Sequence, residues 1–291
     1  MSAILVTGAT GRLGQLVVER LVAAGRRVRV FTRRPEAAFT RFGDRVEIAA
    51  GAFSDRSSLD AALTDVDRVF LFSPISETLS HEQIAVVDAA VASGAERVVK
   101  LSGSDWTIDP PGVSISGDAH AAVEWHLRAQ PIEHVSLRPN AWMQVGLEAT
   151  IRQAQNGDLL RARHGHAAVS YIDARDIADV AAHQLLAPKV AEKPLVLTGA
   201  EALTVRHIAS LLARYLHRPV GVTEARAVPQ PAPGEGFEQR AVAQFMTLIA
   251  AGHASAVTTV VPTLLGRAPR SVEAFVAEHF AAEAAPAGKI A

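Results

Sequence analysis

The sequence predicts an α/β fold in which a doubly wound parallel sheet carries a smaller C-terminal lobe. Three observations predict it. Short β-rich runs alternate with longer segments of helical period through the first half, a glycine triplet separates the first apolar run from the first amphipathic segment, and the alternation loosens into helices beyond residue 140. A chain of 291 residues can bury the core that such an arrangement needs.

Strands are expected at Ala3–Thr7, Arg27–Thr32, Val46–Ala49, Arg68–Phe72, Arg97–Leu101 and His134–Leu137, with helices Leu13–Ala24, Ser57–Leu63, Ser80–Ser93 and Ala119–Ala129 between them. Gly25 can end the first helix in a left-handed turn, Gly94 ends the helix before Arg97, and Pro131 cannot continue a helical ladder. Residues 1–140 therefore read as the sheet-bearing domain. Residues 141–291 read as the lobe, with helices Gln144–Gln155, Ala174–Ala187, Val205–Leu216 and Phe237–Ala250 and one strand, Pro194–Leu197. Gln230–Gly236 is expected as a loop or hinge, and Ala281–Ala291, which carries Pro286, as a loose tail.

Gly8-Ala-Thr-Gly11-Arg-Leu-Gly14 follows an apolar strand and opens an amphipathic helix, the context that makes this pattern a Rossmann dinucleotide signature. Gly8 permits the tight turn, Gly11 lets backbone N–H groups approach a pyrophosphate, and Gly14 lets helix and strand pack closely. The phosphates are expected at the helix N-terminus, over Thr10, Gly11, Arg12, Leu13 and Gly14, where free N–H groups and the positive end of the helix dipole meet them.

After the second strand, where an NAD site offers a carboxylate to the ribose 2′-hydroxyl, the chain instead reads Thr32-Arg33-Arg34-Pro35. Two guanidiniums suit a 2′-phosphate, which they bind through charge-assisted hydrogen bonds, so NADP(H) is the expected cofactor. The competing reading of Arg33 and Arg34 is a pair of solvated surface charges.

Composition removes other classes. Lys plus Arg number 29 against 30 Asp plus Glu, dispersed along the chain, which offers no concentrated basic face for nucleic acid or a membrane surface. With no Cys, disulfides, thiolate metal sites and a Cys nucleophile are excluded. The N-terminus has no basic start, its apolar run is too short for a signal-peptide core, and no run of about 18 apolar residues follows; a cytoplasmic protein is expected.

On Val6-Thr-Gly-Ala-Thr-Gly-Arg-Leu-Gly14, Leu71-Phe-Ser-Pro74, Arg97-Val-Val-Lys-Leu-Ser102, Leu137-Arg-Pro139 and Tyr171-Ile-Asp-Ala-Arg-Asp-Ile-Ala178, the chain resembles the NmrA-like branch of the atypical short-chain dehydrogenase/reductases. That group includes quinone, isoflavone and triphenylmethane reductases, festuclavine synthases and a non-catalytic nitrogen regulator. The resemblance implies that Phe72, Ser73 and Pro74 line the path from adenine ribose to nicotinamide. It further implies that Ser102 and Gly103 sit beside the nicotinamide ribose, and that the backbone from Pro139 through Asn140 to Trp142 approaches the ring. Asp176 is expected to be structural, as a helix-start partner. Ala52 stands where many relatives have Asp after Gly51, and Asp105-Trp106 makes an unusual loop after Ser104.

The Tyr of ordinary short-chain dehydrogenases has a Lys four residues on; here Tyr171 is followed by Arg175 and Tyr215 by Pro219. There is no G-x-S-x-G elbow and no convincing H-E-x-x-H arrangement, so no metal site is expected, and His164 and His166 read as a loop pair. Hydride chemistry then needs substrate held on the ring face and one managed proton. The candidate donor is His120, at a position where the resembling reductases carry Lys or His; an imidazole near its ordinary pKa of about 6.5 exchanges a proton at neutral pH. The competing role for His120 is a backbone or solvent contact in a helix's first turn. Trp106, Trp142 and Met143 are expected to rim the cleft and to favour a flat aromatic substrate, with packing as the alternative for each Trp.

Two functions fit. One is an NADPH-dependent reductase of a small conjugated or aromatic electrophile, of quinone, imine, enone or azo type, acting as a monomer or homodimer. The other is an NADP(H)-sensing regulator that binds a protein partner and performs no chemistry.

Overall fold

The computed structural model describes residues 2–162, 166–224 and 234–284. In chain order its strands are β1 (Ala3–Thr7), β2 (Val28–Thr32), β3 (Glu47–Ala50), β4 (Val66–Leu71), β5 (Arg97–Leu101), β6 (Glu133–Pro139), β7 (Leu160–Ala162), β8 (Leu195–Leu197) and β9 (Val222–Glu224). Seven of them form a parallel sheet of order β3-β2-β1-β4-β5-β6-β8, while β7 and β9 pair separately in the lobe. The helices are α1 (Arg12–Ala23), α2 (Pro35–Phe42), α3 (Arg56–Leu63), α4 (Leu79–Ala92), α5 (Asp105–Ile108), α6 (Ile115–Arg128), α7 (Met143–Gln155), α8 (Ala174–Leu186), α9 (Val205–Leu216), α10 (Phe237–Ala250), α11 (Val260–Leu265) and α12 (Val272–Ala284).

Successive strand residues point to opposite faces, so a strand covered on both sides must be apolar throughout. In β1, Ile4 and Val6 join the core beneath α1, α8 and α11, whereas Ala3 and Leu5 join the core beneath α3, α4 and α6. Each fully buried aliphatic side chain contributes about 1.5–3 kcal/mol. A third core gathers α7, α9, α12 and β7 into the lobe. The second half of the chain is shared between the two: β8 completes the sheet beside β6, and α8 packs on α1, while α7, α9, α10 and α12 build the lobe.

The order reverses between β1 and β4, where β2 and β3 lie to one side and β5, β6 and β8 to the other. Ligands in such sheets bind in the crevice at the carboxyl ends of the strands flanking that reversal.

Two expectations are corrected. The tail does not begin at Ala281, because α12 runs to Ala284; residues 285–291 lie outside the described ones. Asp176 is structural, as expected, and lies in the first turn of α8, but it is not the residue that caps the helix. Asp173 is the N-cap, accepting from the Arg175 N–H at 2.8 Å, while Asp176 is fully buried and accepts from the Arg267 guanidinium at 2.7 Å and from the Arg270 backbone and side chain. Of the expected hinge, residues 234–236 are described and Gly236 caps α10, while 230–233 lie outside.

Candidate active site

The turn between β1 and α1 is built by its glycines. Gly8 has φ +63°, a left-handed conformation, and a Cβ there would sit 2.7 Å from the Phe72 ring. A Cβ on Gly14 would lie 2.3 Å from the Gly8 carbonyl oxygen, so only glycine lets α1 start against the strand. The Gly11 N–H closes the turn on Gly8 O at 3.0 Å. Gly11 caps α1 without a side-chain hydrogen bond, and no acceptor for the N–H groups of Arg12, Leu13 and Gly14 occurs among the described residues. Three donors at the positive end of a twelve-residue helix, approachable through side-chain-free Gly11, fit a pyrophosphate. The side chains play other parts. Leu13 is core, Thr10 offers its carbonyl to Gln15, and Arg12 pairs with Glu148 on α7.

Arg33 and Arg34 follow β2 directly, are exposed, and have no carboxylate partner among the described residues. Most arginines near the sheet are committed, as Arg29 is to Glu47 and Arg97 to Glu133, which leaves these two cations available at the end of the second strand.

Phe72, Ser73 and Pro74 follow β4. Phe72 roofs Gly8, and its backbone is tied to the Thr7 hydroxyl; Ser73 is buried and accepts from Gln83 Nε2 at 2.8 Å; Pro74 is exposed. Asn140 follows β6 and is spent on structure. Its amide donates to Ser170 O, Ser170 Oγ and Ala254 O, its Oδ1 accepts from Trp106 Nε1 at 2.9 Å and its backbone N–H donates to Leu197 O at 2.8 Å, so any cofactor contact falls to its backbone carbonyl. Trp106 lies against Phe245 of α10 with ring centroids 4.7 Å apart. Trp142 caps α7 and packs partly on the sheet core. Met143 is 1% exposed within the lobe core, which corrects its expected place on the rim: as the first residue of α7 it turns inward.

Ser102 is buried, and its Oγ donates to Glu124 Oε1 at 2.6 Å. It belongs to a buried polar chain. Lys100 Nζ lies in hydrogen-bond contact with His120 Nδ1 at 2.9 Å and donates to Ser102 Oγ at 3.2 Å and to Leu101 O at 3.2 Å; Arg138 clamps Glu124 with two nitrogens and reaches Asp105 at 2.7 Å. Burial pushes Lys100 down to about 7, with Glu124 opposing and Arg138 adding to the shift. His120 is driven well below its ordinary range by burial and by Lys100, so the imidazole is neutral at pH 7. Burial raises Glu124, but the hydrogen bonds of Arg138 and Ser102 and the charges of Arg138 and Lys100 outweigh it and keep the carboxylate ionised. The His120 ring edge meets Gly103, where a Cβ would lie 3.0 Å from Cδ2, and Nε2 has no partner among the described residues. Lys100 escaped the sequence reading, although a lysine between Val99 and Leu101 in a buried strand is its own signal.

Tyr171 is buried against Gly146 and Gly199, with its phenol pushed up to about 12 by burial, so it supplies no ready proton. His164 lies outside the described residues; His166 lies in an exposed turn. No group of three or more His, Asp or Glu among the described residues is placed to hold a metal, and no single described helix is long and apolar enough to cross a membrane.

A family model described as NmrA-like matches residues 1–232. The chain belongs to the NmrA-like family. Among curated relatives it is 35% identical to (4-alkanoyl-5-oxo-2,5-dihydrofuran-3-yl)methyl phosphate reductase of Streptomyces griseus, over 95% of this chain and 97% of that protein. It is 29% identical to the NAD(P)H azoreductase of Xenophilus azovorans, over 96% and 98%. Among solved structures, an NADPH-dependent quinone oxidoreductase of Escherichia coli in complex with NADPH superposes with a TM-score of 0.84 at 20% identity, covering 95% of this chain and 99% of that one. Triphenylmethane reductase of Citrobacter sp. in complex with NADP(H) gives 0.82 at 22%, with 95% and 99% covered. The NmrA-like sheet and the glycine turn thus stand where the sequence put them.

Proposed function

We propose that this NmrA-like protein is an NADPH-dependent reductase of small unsaturated electrophiles. Its class, an NAD(P)H-dependent oxidoreductase, follows the named relatives, which are reductases over nearly the full chain. The cofactor fits the residues present: the N–H groups of Arg12, Leu13 and Gly14 face the diphosphate, and Arg33 and Arg34 take the 2′-phosphate. When bound, the nicotinamide supplies the hydride.

The observation that carries the reaction is His120 beside Gly103 at the carboxyl end of β5. It is neutral, and with the Lys100 ammonium behind it Nδ1 accepts and the proton resides on Nε2, which has no partner among the described residues. His120 Nε2–H is the donor to the substrate atom that becomes negative on reduction, a role worth about 100- to 10,000-fold in rate. Trp106 and Phe245 supply an aromatic wall beyond β5, suited to a flat substrate. The dihydrofuranone and azo compounds named for the relatives are small and unsaturated, the chemistry proposed here.

A panel of butenolides, quinones, enones, imines and azo dyes, with NADPH consumption followed by absorbance, tests the proposal. Turnover of at least one class, lost on His120→Ala while NADPH affinity is kept, is the expected result. Full turnover by His120→Ala at every pH overturns the donor assignment.

A further inference from the structure

We propose that Lys100 supplies the proton of the reduction, with His120 as the relay that carries it from the protein interior to the substrate. The inference rests on the reductase reading and adds the source of the proton to it.

With Lys100 as the ammonium, the hydrogen-bond directions in the buried chain are fixed by what each group can do. An ammonium has three donors and no acceptor, and Lys100 Nζ, fully buried, has three acceptors around it: Leu101 O, Ser102 Oγ and His120 Nδ1. Ser102 can accept from Lys100 because its own proton goes to Glu124, and Glu124 is an obligate acceptor held by Arg138. His120 Nδ1 is therefore a lone pair, which puts the imidazole proton on Nε2. A neutral imidazole that only donated would be left as an unstable anion. Here the neighbour 2.9 Å behind it carries the proton that replaces the one given away.

The step balances. The Nε2–H bond breaks as the proton bonds to the anionic atom of the reduced substrate; Nδ1 takes a proton from Lys100 Nζ; the imidazole stays neutral and changes tautomer; Lys100 becomes a neutral amine. Once the product has left, one proton from water bonds to His120 Nε2 as the Nδ1 proton passes back to Lys100 Nζ, which restores both the ammonium and the first tautomer. A lysine at its ordinary value would hold its proton at neutral pH, whereas Lys100 lies at about 7. The groups that face it are Glu124 and His120 from α6 and Arg138 from β6, the last tied to Asp105 of α5; Glu124 favours the ammonium, and burial and Arg138 oppose it. Lys100 touches no substrate; it acts through His120.

Two measurements test the relay. The first needs no substrate. With lysine labelled at Cε and the histidine rings labelled with ¹⁵N, Lys100, one of four lysines in the chain, is expected to titrate near pH 7, with His120 singly protonated and held as Nε2–H while Lys100 is an ammonium. Uptake of a second proton by His120 with a midpoint between about 6 and 7, or an Nδ1–H tautomer while Lys100 is an ammonium, overturns the relay. The second is kinetic. Wild-type kcat is expected to fall above about pH 7 as the ammonium is lost. Lys100→Met should lower kcat by about 100-fold or more and abolish that limb at unchanged NADPH affinity, and Lys100→Arg, whose charge cannot be given up, should be as slow. Equal kcat and the same pH profile in Lys100→Met overturn the relay while leaving the reductase intact. Failure of the wild type to reduce any substrate despite binding NADPH removes the reductase reading and the relay with it, whatever the resonances show.

Discussion

Removing the two cations after β2 should convert an NADPH site into one indifferent to the 2′-phosphate. Arg33 and Arg34 are exposed and have no carboxylate to release, so replacing both with Ala breaks no ion pair among the described residues. A charge-assisted hydrogen bond contributes about 1.5–3 kcal/mol; solvent screening at an exposed site reduces this to about 1–1.5 kcal/mol for each guanidinium. Together they amount to about 2–3 kcal/mol, roughly 30- to 150-fold in affinity. Titration calorimetry with NADPH and with NADH reads the effect directly. Arg33→Ala plus Arg34→Ala should weaken NADPH by that factor, leave NADH within about two-fold, and flatten the salt dependence of NADPH binding. Equal losses for the two cofactors, or none for NADPH, would refute the assignment of these residues to the 2′-phosphate.

The other parts of the architecture make further predictions. Gly14→Ala places a Cβ 2.3 Å from Gly8 O, so α1 must retreat by about 1 Å to reach ordinary contact; NADPH affinity should drop at least ten-fold and stability by about 1–3 kcal/mol, read by calorimetry and urea unfolding. Lys100, lowered from its ordinary 10.5 to about 7, binds a proton in the unfolded but not the folded chain between those values, so this group makes stability rise with pH across that window; relative to Lys100→Met, the wild type should gain about 1 kcal/mol per pH unit between 7 and 10 in urea midpoints. Trp106→Phe keeps a ring against Phe245 but orphans Asn140 Oδ1, and should cost about 1–3 kcal/mol in the same assay. Asp176→Ala strips Arg267 and Arg270 of a fully buried carboxylate, and a loss of about 3–5 kcal/mol should appear as a Tm lower by on the order of 10 °C.

Strands buried on both faces and long amphipathic helices were legible because their pattern is dictated by the layers that cover them. The expected strands and helices of the first half recur within two residues at every end but one, the start of α6, which comes four residues early after its Ser114 cap. The elements that were not foreseen lack such a pattern. β7 and β9 are three residues each, too short to show alternation; α2 has eight residues and starts at Pro35; α12 is apolar almost all round, so no face stands out.

Around the candidate site, the geometry of the glycine turn was readable, whereas of the buried polar chain only His120 and Ser102 stood out in the sequence. Gly8 and Gly14 are forced by local sterics that a motif records. The union of Lys100, His120, Glu124 and Arg138 depends on β5, α6 and β6 being neighbours, which no local spacing reveals. The same applies to Met143: its inward turn follows from the packing of α7 on the lobe, and its position after β6 suggested the opposite.

The central claim, that the crevice between β1 and β4 uses NADPH to reduce a small electrophile, is tested most directly by single-turnover mixing of NADPH-loaded protein with the substrate panel while nicotinamide absorbance is recorded. Stoichiometric loss of the reduced-nicotinamide signal is expected with at least one unsaturated substrate, requiring at least ten-fold more NADPH for loading in Gly14→Ala and slowed about 100-fold or more by His120→Ala. Tight NADPH binding with an unchanged nicotinamide signal across the whole panel would contradict it.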